Sequence, residues 1–133
     1  MTAQIASVTF DCRDALAVAR FWSAVIGRPL DPDASSEFAA IGFTGRRDRE
    51  GWASVERGCD PTWMFVSVPE SKTAKNRMHL DLVAPDVEAE VARLVELGAS
   101  RVADADEWGY RWTVMTDPEG NEFCVARGDV QPS

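Results

Sequence analysis

The chain has 133 residues, of which 45% are hydrophobic and 27% charged, and its formal net charge is -8 at pH 7. This composition predicts a single globular domain over residues 1–133, because a chain of this length buries about two-thirds of its unfolded surface. An acidic chain lacks the clustered Lys and Arg that phosphate backbones attract, so nucleic acid is not an expected partner. No leader-like segment and no run of about 20 apolar residues is present, which predicts a cytoplasmic protein without membrane contact.

The first half of the sequence predicts a β-α-β-β-β module over about residues 1–68. Residues 4–11 alternate as a strand, and Asp14 is placed to cap a helix that runs to about Ile26 and ends at Gly27. Three further strand-like runs follow, near 37–44, 51–57 and 62–69.

The second half predicts the same order of elements over about residues 78–128, after a polar linker at about 69–77. A strand at 78–84 leads to Asp86, which is placed to cap a second helix that ends at Gly98. Strand-like runs near 100–104, 110–116 and 122–127 complete the module. Asp14 and Asp86 lie 72 residues apart, which indicates duplication of a whole supersecondary module.

Alternation along the predicted strands separates a helix-facing side from an opposite side. The helix-facing side is predicted to contain Val8, Phe10, Met64, Val66, Val68, Met78, Leu80, Leu82, Phe123 and Val125. The opposite side mixes aromatic and small polar side chains, as a concave ligand site requires, although a second subunit covering it is the alternative. The ligand-binding residues predicted from this pattern and from the tryptophan content are Ser7, Thr9, Trp52, Trp63, Phe65, Ser67 and Trp112.

The catalytic candidates are His79, Asp81 and Cys124, which share that predicted side. His79, the only histidine, could act as a general base beside a Cys124 thiolate, and Asp81 could orient the imidazole or act as a base itself. The structural alternatives are that Cys124 is a small buried hydrophobe, that His79 is a hydrogen-bonded sheet residue, and that Asp81 pairs with Arg77 or Arg111.

A family resemblance is carried by the paired modules, the Phe21–Trp22 pair, the HLDL strand and above all the segment DPEGNEFCV at 117–125. Together these resemble the vicinal oxygen chelate superfamily of glyoxalases, extradiol dioxygenases and bleomycin-binding proteins, in particular its small glyoxalase-like members. The resemblance implies an α+β fold in which two tandem βαβββ modules form a curved mixed sheet, a cup, with the helices on its outer face. It also implies a homodimer.

The metal enzymes of this superfamily take one ligand from each of four strands, and by position these ligands would be Ser7, Ser67, His79 and Cys124. Two serines are weak ligands, so no tight catalytic metal and no other cofactor is expected. If a divalent metal (Zn, Ni, Fe or Mn) is present, His79 and Cys124 are its expected ligands, with Asp11, Asp81 or Glu122 as a third.

Two functions remain open from the sequence. The first is a protein that binds a small, partly apolar organic molecule in the cup. The alternative is an enzyme of lyase, isomerase or dioxygenase type that acts on a carbonyl or oxygenated small molecule, with or without a metal at His79.

Overall fold

A computed structural model describes residues 3–44, 47–48, 51–52 and 58–130. The chain forms two compact units, residues 1–71 and 72–133. The fold class is α+β, as the sequence predicts: the described residues form one helix in each unit, a three-stranded and a four-stranded mixed sheet, and a short two-stranded sheet.

The first unit is built around a three-stranded sheet. Its elements are β1 (Ser7–Cys12), α1 (Ala15–Ile26), β2 (Phe38–Ile41), β3 (Arg47–Asp48), β4 (Gly51–Trp52) and β5 (Thr62–Ser67). The strand order is β1-β5-β2, with β1 parallel and β2 antiparallel to β5, while β3 and β4 form the two-stranded sheet. Of the strand predicted at 51–57, residues 53–57 lie outside the described part of the chain.

The second unit is built around the four-stranded sheet. Its elements are β6 (Leu80–Ala84), α2 (Val87–Leu97), β7 (Ser100–Glu107), β8 (Tyr110–Thr116) and β9 (Glu122–Arg127). The strand order is β6-β9-β8-β7, with β6 parallel to β9 and the other pairs antiparallel.

Matching caps begin and end the two helices, and this confirms the helix predictions. A side-chain oxygen of Asp14 accepts a hydrogen bond from the N–H three residues on at 3.1 Å, and Asp86 does the same at 3.1 Å. Gly27 and Gly98 follow the helices with φ of 69° and 119°, a left-handed conformation that costs other residues free energy. The Asp and Gly caps therefore fix where each helix begins and ends.

Aromatic packing between α1 and the first sheet corrects the prediction for β5. The ring of Phe10 lies 5.5 Å from Trp22 on the helix, 5.6 Å from Trp63 and 5.1 Å from Phe65. Trp63 and Phe65 thus face the helix, whereas the sequence pattern assigned that side to Met64 and Val66. The register explains the error: Phe10 pairs with Phe65 in a parallel ladder, so both side chains take the same side, and the larger rings bury more apolar area there.

In the second sheet, the residues that face the helix are mostly those that the alternation along its strands predicts. Phe123 and Val125 are buried, together with Met115 on β8 and with Val91 and Leu94 on α2. Met78, by contrast, precedes β6 and is 87% exposed, so its predicted place in the core is wrong. The core of this unit therefore lies between α2 and one side of the sheet, and the opposite side does not pack against α2.

Neither helix of the described residues is long and apolar enough to cross a lipid bilayer. The longer one, α1, has 12 residues, where about 20 are needed.

Candidate functional site

The sheet of the second unit presents a surface away from α2, which we call the open face. Its side chains come from alternate positions of three strands and from the residue before β6. Because Asp81 pairs with Cys124 and Cys124 with Val114, these three side chains lie side by side across the sheet. The open face consists of His79, Asp81, Val83, Trp112, Val114, Thr116, Glu122, Cys124 and Ala126.

A concavity of about 1090 Å³ lies over this face and is lined by residues of the second unit alone. One end is polar, with Lys75, His79 and Asp81, and Cys124 in the adjoining floor. The rest of the lining is largely apolar, with Val83, Val102, Tyr110, Trp112, Val114 and Ala126, and it also includes the charged residues Arg111, Glu122 and Arg127. The volume is slightly above the usual range of about 300–1,000 Å³ for small-molecule sites, which are typically apolar clefts with a few polar groups.

His79, Asp81 and Cys124 converge at the polar end, so the structure brings together the three residues predicted as catalytic. One potential ligand atom from each side chain lies within 4.8 Å of the other two. Nδ1 of His79 is 3.6 Å from Oδ1 of Asp81, and these two side chains are 44% and 72% exposed. Arg111, an alternative partner for Asp81, instead donates to Asp106 at 3.2 Å.

The surroundings of Cys124 favour its protonated form. Burial raises the pKa of the thiol, and the charge of Asp81 and a hydrogen bond to its carboxylate raise it further, against a smaller lowering by the Lys75 ammonium. A nucleophilic thiolate requires the opposite shift. These surroundings therefore argue against Cys124 as a nucleophile.

Glu122, on the same face, is held by the segment that precedes β6. Its carboxylate accepts hydrogen bonds from Lys72 Nζ at 3.2 Å and from the backbone N–H of Asn76 at 3.0 Å. Partial burial opposes ionisation of Glu122, but these hydrogen bonds outweigh it and hold its pKa below the usual value. Both carboxylate oxygens are thus already engaged.

Asp117 supports the strand that carries Cys124. It is 4% exposed, and its carboxylate accepts from the backbone N–H groups of Glu119 and Asn121 at 2.9 Å and from the Asn121 amide at 2.9 Å. Gly120 adopts φ of 86° in the same turn. The DPEGN segment is therefore a turn whose own hydrogen bonds connect β8 to β9.

In the first unit the predicted ligand-binding residues divide between the two sides of the sheet. Ser7 and Thr9 lie on the side away from α1. Met64 lies on the same side, because it pairs with Thr9 in the β1–β5 ladder. Trp63 and Phe65 lie on the helix side in the core, so their assignment to the ligand-facing side was wrong.

Ser67 is likewise on the helix side of the first sheet. It pairs with buried Cys12 in the β1–β5 ladder, and its hydroxyl donates to the carbonyl of Arg13 at 3.1 Å. Since Thr9 pairs with Met64 as Asp81 pairs with Cys124, Met64 and not Ser67 is the counterpart of Cys124 in the duplicated unit.

The two remaining tryptophans of the prediction differ in what the structure describes. Trp112 lies on the open face and lines the concavity. Trp52 belongs to β4 and pairs with Arg47, but its side chain lies outside the described part of the structure.

Several lining residues were missed from the sequence. Val114 and Tyr110 alternate with Trp112 along β8, so the period of two could have identified both. Val102 could not have been found in this way, because the register of β7 shifts between Arg101 and Ala103.

Comparison with known proteins agrees with this architecture. A family model described as a glyoxalase-like domain matches residues 7–126. No curated protein sequence matches the chain.

Solved structures show the same fold at low sequence identity. A glyoxalase/bleomycin resistance protein/dioxygenase family enzyme from Burkholderia phytofirmans PsJN is 18% identical, with a TM-score of 0.66 over 94% of this chain and 98% of that chain. A lactoylglutathione lyase from Agrobacterium tumefaciens is 16% identical, with a TM-score of 0.58 over 96% and 95%. The bleomycin-binding protein from Streptomyces verticillus, complexed with copper(II)-bleomycin, is 15% identical, with a TM-score of 0.57 over 97% and 99%.

The family match spans both modules, including the HLDL strand and the DPEGNEFCV segment. The chain therefore belongs to the glyoxalase-like domain family, and it shares its fold with solved structures from the glyoxalase/bleomycin resistance protein/dioxygenase group.

Proposed function

We propose that this protein binds a small, partly apolar organic molecule on the open face, without requiring a tightly bound catalytic metal. The observation that carries the proposal is the concavity of about 1090 Å³, which combines a largely apolar wall with a polar end that holds His79 and Asp81. A ligand with a flat apolar body and one polar group fits this division of the surface. Among the neighbours in fold, the Streptomyces verticillus protein is described as bleomycin-binding.

The wall contributes affinity because it removes apolar ligand surface from water. Tyr110, Trp112 and Val114 alternate along β8 and all line the concavity, so a planar ligand can lie against neighbouring members of this row. Burial of about 100 Å² of apolar ligand surface contributes about 2.5 kcal/mol before the costs of association. The polar end then orients the ligand, since His79 and Asp81 are exposed enough to hydrogen-bond with it.

The test is calorimetric titration with small aromatic alcohols and ketones, beginning with 2-naphthol. Val114→Glu places a charge in the centre of the apolar wall and should weaken binding by about tenfold or more. Val95→Glu is the matched control, because Val95 is a 47% exposed valine on α2 of the same unit. Equal affinities of the two variants would contradict the proposal.

An enzyme acting on a carbonyl or oxygenated small molecule is the second candidate. The observation that favours it is the pairing of His79 with Asp81 at 3.6 Å, since a carboxylate beside an imidazole can orient it as a general base. One neighbour in fold is described as a lactoylglutathione lyase. Any turnover by this protein should fall strongly in His79→Ala, and turnover unchanged by that substitution would remove this candidate.

A homodimer and a cytoplasmic location remain predictions from the sequence and the resemblance. Light scattering after gel filtration measures the first directly. A mass of twice the 14.6 kDa chain is expected, and a monomer at all concentrations would contradict it.

A further inference from the structure

Two arginines lie opposite each other at the end of the open face that is remote from its polar end. The antiparallel register that pairs Trp112 with Ala126 brings Arg111 on β8 opposite Arg127 on β9, one position further along. Like charges directly opposite on neighbouring strands are destabilising. Residues 72–133 contain 12 acidic and 7 basic residues, so an excess of basic residues in this unit does not explain the pairing of two cations.

The neighbouring carboxylate does not neutralise both arginines. Nε of Arg111 donates to Oδ2 of Asp106 at 3.2 Å, but these side chains are 86% and 62% exposed, and exposed ion pairs contribute little. Arg127 is also exposed, and it forms no hydrogen bond or ion pair with any residue in the part of the chain that the structure describes. The pair therefore has guanidinium N–H groups that can bind a ligand.

Two further carboxylates, Glu88 and Asp104, line a cleft of about 440 Å³ that the arginine pair also lines. Both are held by another arginine: Arg101 donates to Glu88 at 3.2 Å and to Asp104 at 2.9 Å. Asp104 also accepts from the hydroxyl of Thr113 at 3.0 Å. These two carboxylates are therefore already engaged, and neither pairs with Arg127.

Both arginines also line the concavity over the open face, together with Trp112. Their guanidinium groups thus adjoin the aromatic part of its wall. Along β9, Arg127 lies three residues beyond Cys124, and at about 3.3 Å per residue the arginine pair is about 10 Å from the polar end. An aromatic body of two rings with a polar group at each end spans such a distance.

We propose that the organic molecule bound on the open face carries a carboxylate, which Arg111 and Arg127 bind at the end remote from His79. A planar guanidinium group presents paired N–H donors that match the two oxygens of a carboxylate. A bound carboxylate also offsets the repulsion between the two facing cations. This inference rests on the proposed function, since it names the chemical class of the ligand that the open face binds.

The test compares two probes by calorimetric titration. 2-Naphthol has the aromatic body and one uncharged polar group, and 6-hydroxy-2-naphthoate adds a carboxylate at the far end of the same two rings. We expect the protein to bind 6-hydroxy-2-naphthoate more tightly than 2-naphthol by about fivefold or more. This advantage should shrink in high salt, because salt screens exposed charges.

Variants identify the arginines. Arg111→Gln and Arg127→Gln should each bring the ratio of the two affinities close to one. Arg77→Gln is the matched control, because it removes the same charge from an exposed arginine of the same unit that does not line the concavity. Far-ultraviolet circular dichroism checks that each variant is folded.

The outcomes separate this inference from the proposed function. If the parent binds 2-naphthol but binds 6-hydroxy-2-naphthoate no more tightly, the inference fails and the proposed function stands. A ratio that is unchanged in both Arg111→Gln and Arg127→Gln, or that falls equally in Arg77→Gln, would likewise overturn the assignment of the arginine pair. Absence of binding of either probe would contradict the proposed function and this inference together.

Discussion

Replacing Trp63 distinguishes a core residue from a ligand-binding one. The structure places its ring 5.6 Å from Phe10 and 5.5 Å from Trp22, with 9% of the residue exposed. Removing a buried Trp to Ala costs about 3–5 kcal/mol, because apolar contacts are lost and a cavity remains. Since domains of this size have a free energy of unfolding of about 5–15 kcal/mol, Trp63→Ala should lose a large part of its stability. Trp63→Phe keeps a ring and should cost about 1–2 kcal/mol.

The assay is urea unfolding followed by far-ultraviolet circular dichroism, which does not depend on the tryptophan removed. Trp112→Ala is the control, because Trp112 lies on the open face. This substitution should lower the free energy of unfolding by less than about 2 kcal/mol and should weaken 2-naphthol binding. The assignment of Trp63 to the core would be refuted if Trp63→Ala lowered the free energy of unfolding by less than about 1 kcal/mol and abolished 2-naphthol binding.

Three further predictions concern the supports of the open face. Asp117→Ala removes a buried carboxylate that accepts three hydrogen bonds in its own turn and should lower the free energy of unfolding by about 2–4 kcal/mol, measured by urea denaturation. Asp81→Asn removes the charge that helps raise the pKa of Cys124, so alkylation of Cys124 by iodoacetamide at neutral pH should become faster in this variant; an unchanged rate would contradict the assigned cause. Glu122 has a folded-state pKa below its usual 4.5, so its contribution to stability is present above that pH and is lost as the pH falls through the folded value. Glu122→Gln should therefore flatten the fall in stability below about pH 4.5, and equal slopes for parent and variant would contradict the account.

Local chemistry was sufficient to predict the helices. Asp14 and Asp86 as caps, with Gly27 and Gly98 as ends, are signals within one or two turns of chain, and the structure has helices between them. The DPEGN turn could also be predicted from its sequence, although the prediction did not include the Asp117 carboxylate as the main hydrogen-bond acceptor of the turn.

The sidedness of the strands could be predicted only where one side is polar. On β6, polar Asp81 alternates with apolar Leu80 and Leu82, so its phase was correct. On β5 both sides carry apolar residues, and pairing with β1 decides that Trp63 and Phe65 enter the core. Such pairing depends on residues more than fifty positions away, which alternation within one strand does not report.

The candidate site follows the same rule. The sequence pattern predicted that His79, Asp81 and Cys124 share one side of the sheet, and in the structure one ligand atom of each lies within 4.8 Å of the others. Their catalytic role stays a prediction. The bulge that brings Val102 to the concavity, and the hydrogen bonds that occupy Glu122, depend on tertiary contacts and were not predictable.

The central claim is that the open face binds the organic ligand, and methyl NMR during titration with 2-naphthol tests it most directly. We expect shifts that saturate for the methyl groups of Val83, Val114 and Ala126, which lie on the open face. Methyl groups of Val91 and Val125 are buried on the helix side and should move little. Saturable shifts confined to the helix-side methyl groups, or none on the open face while calorimetry shows binding, would contradict the claim.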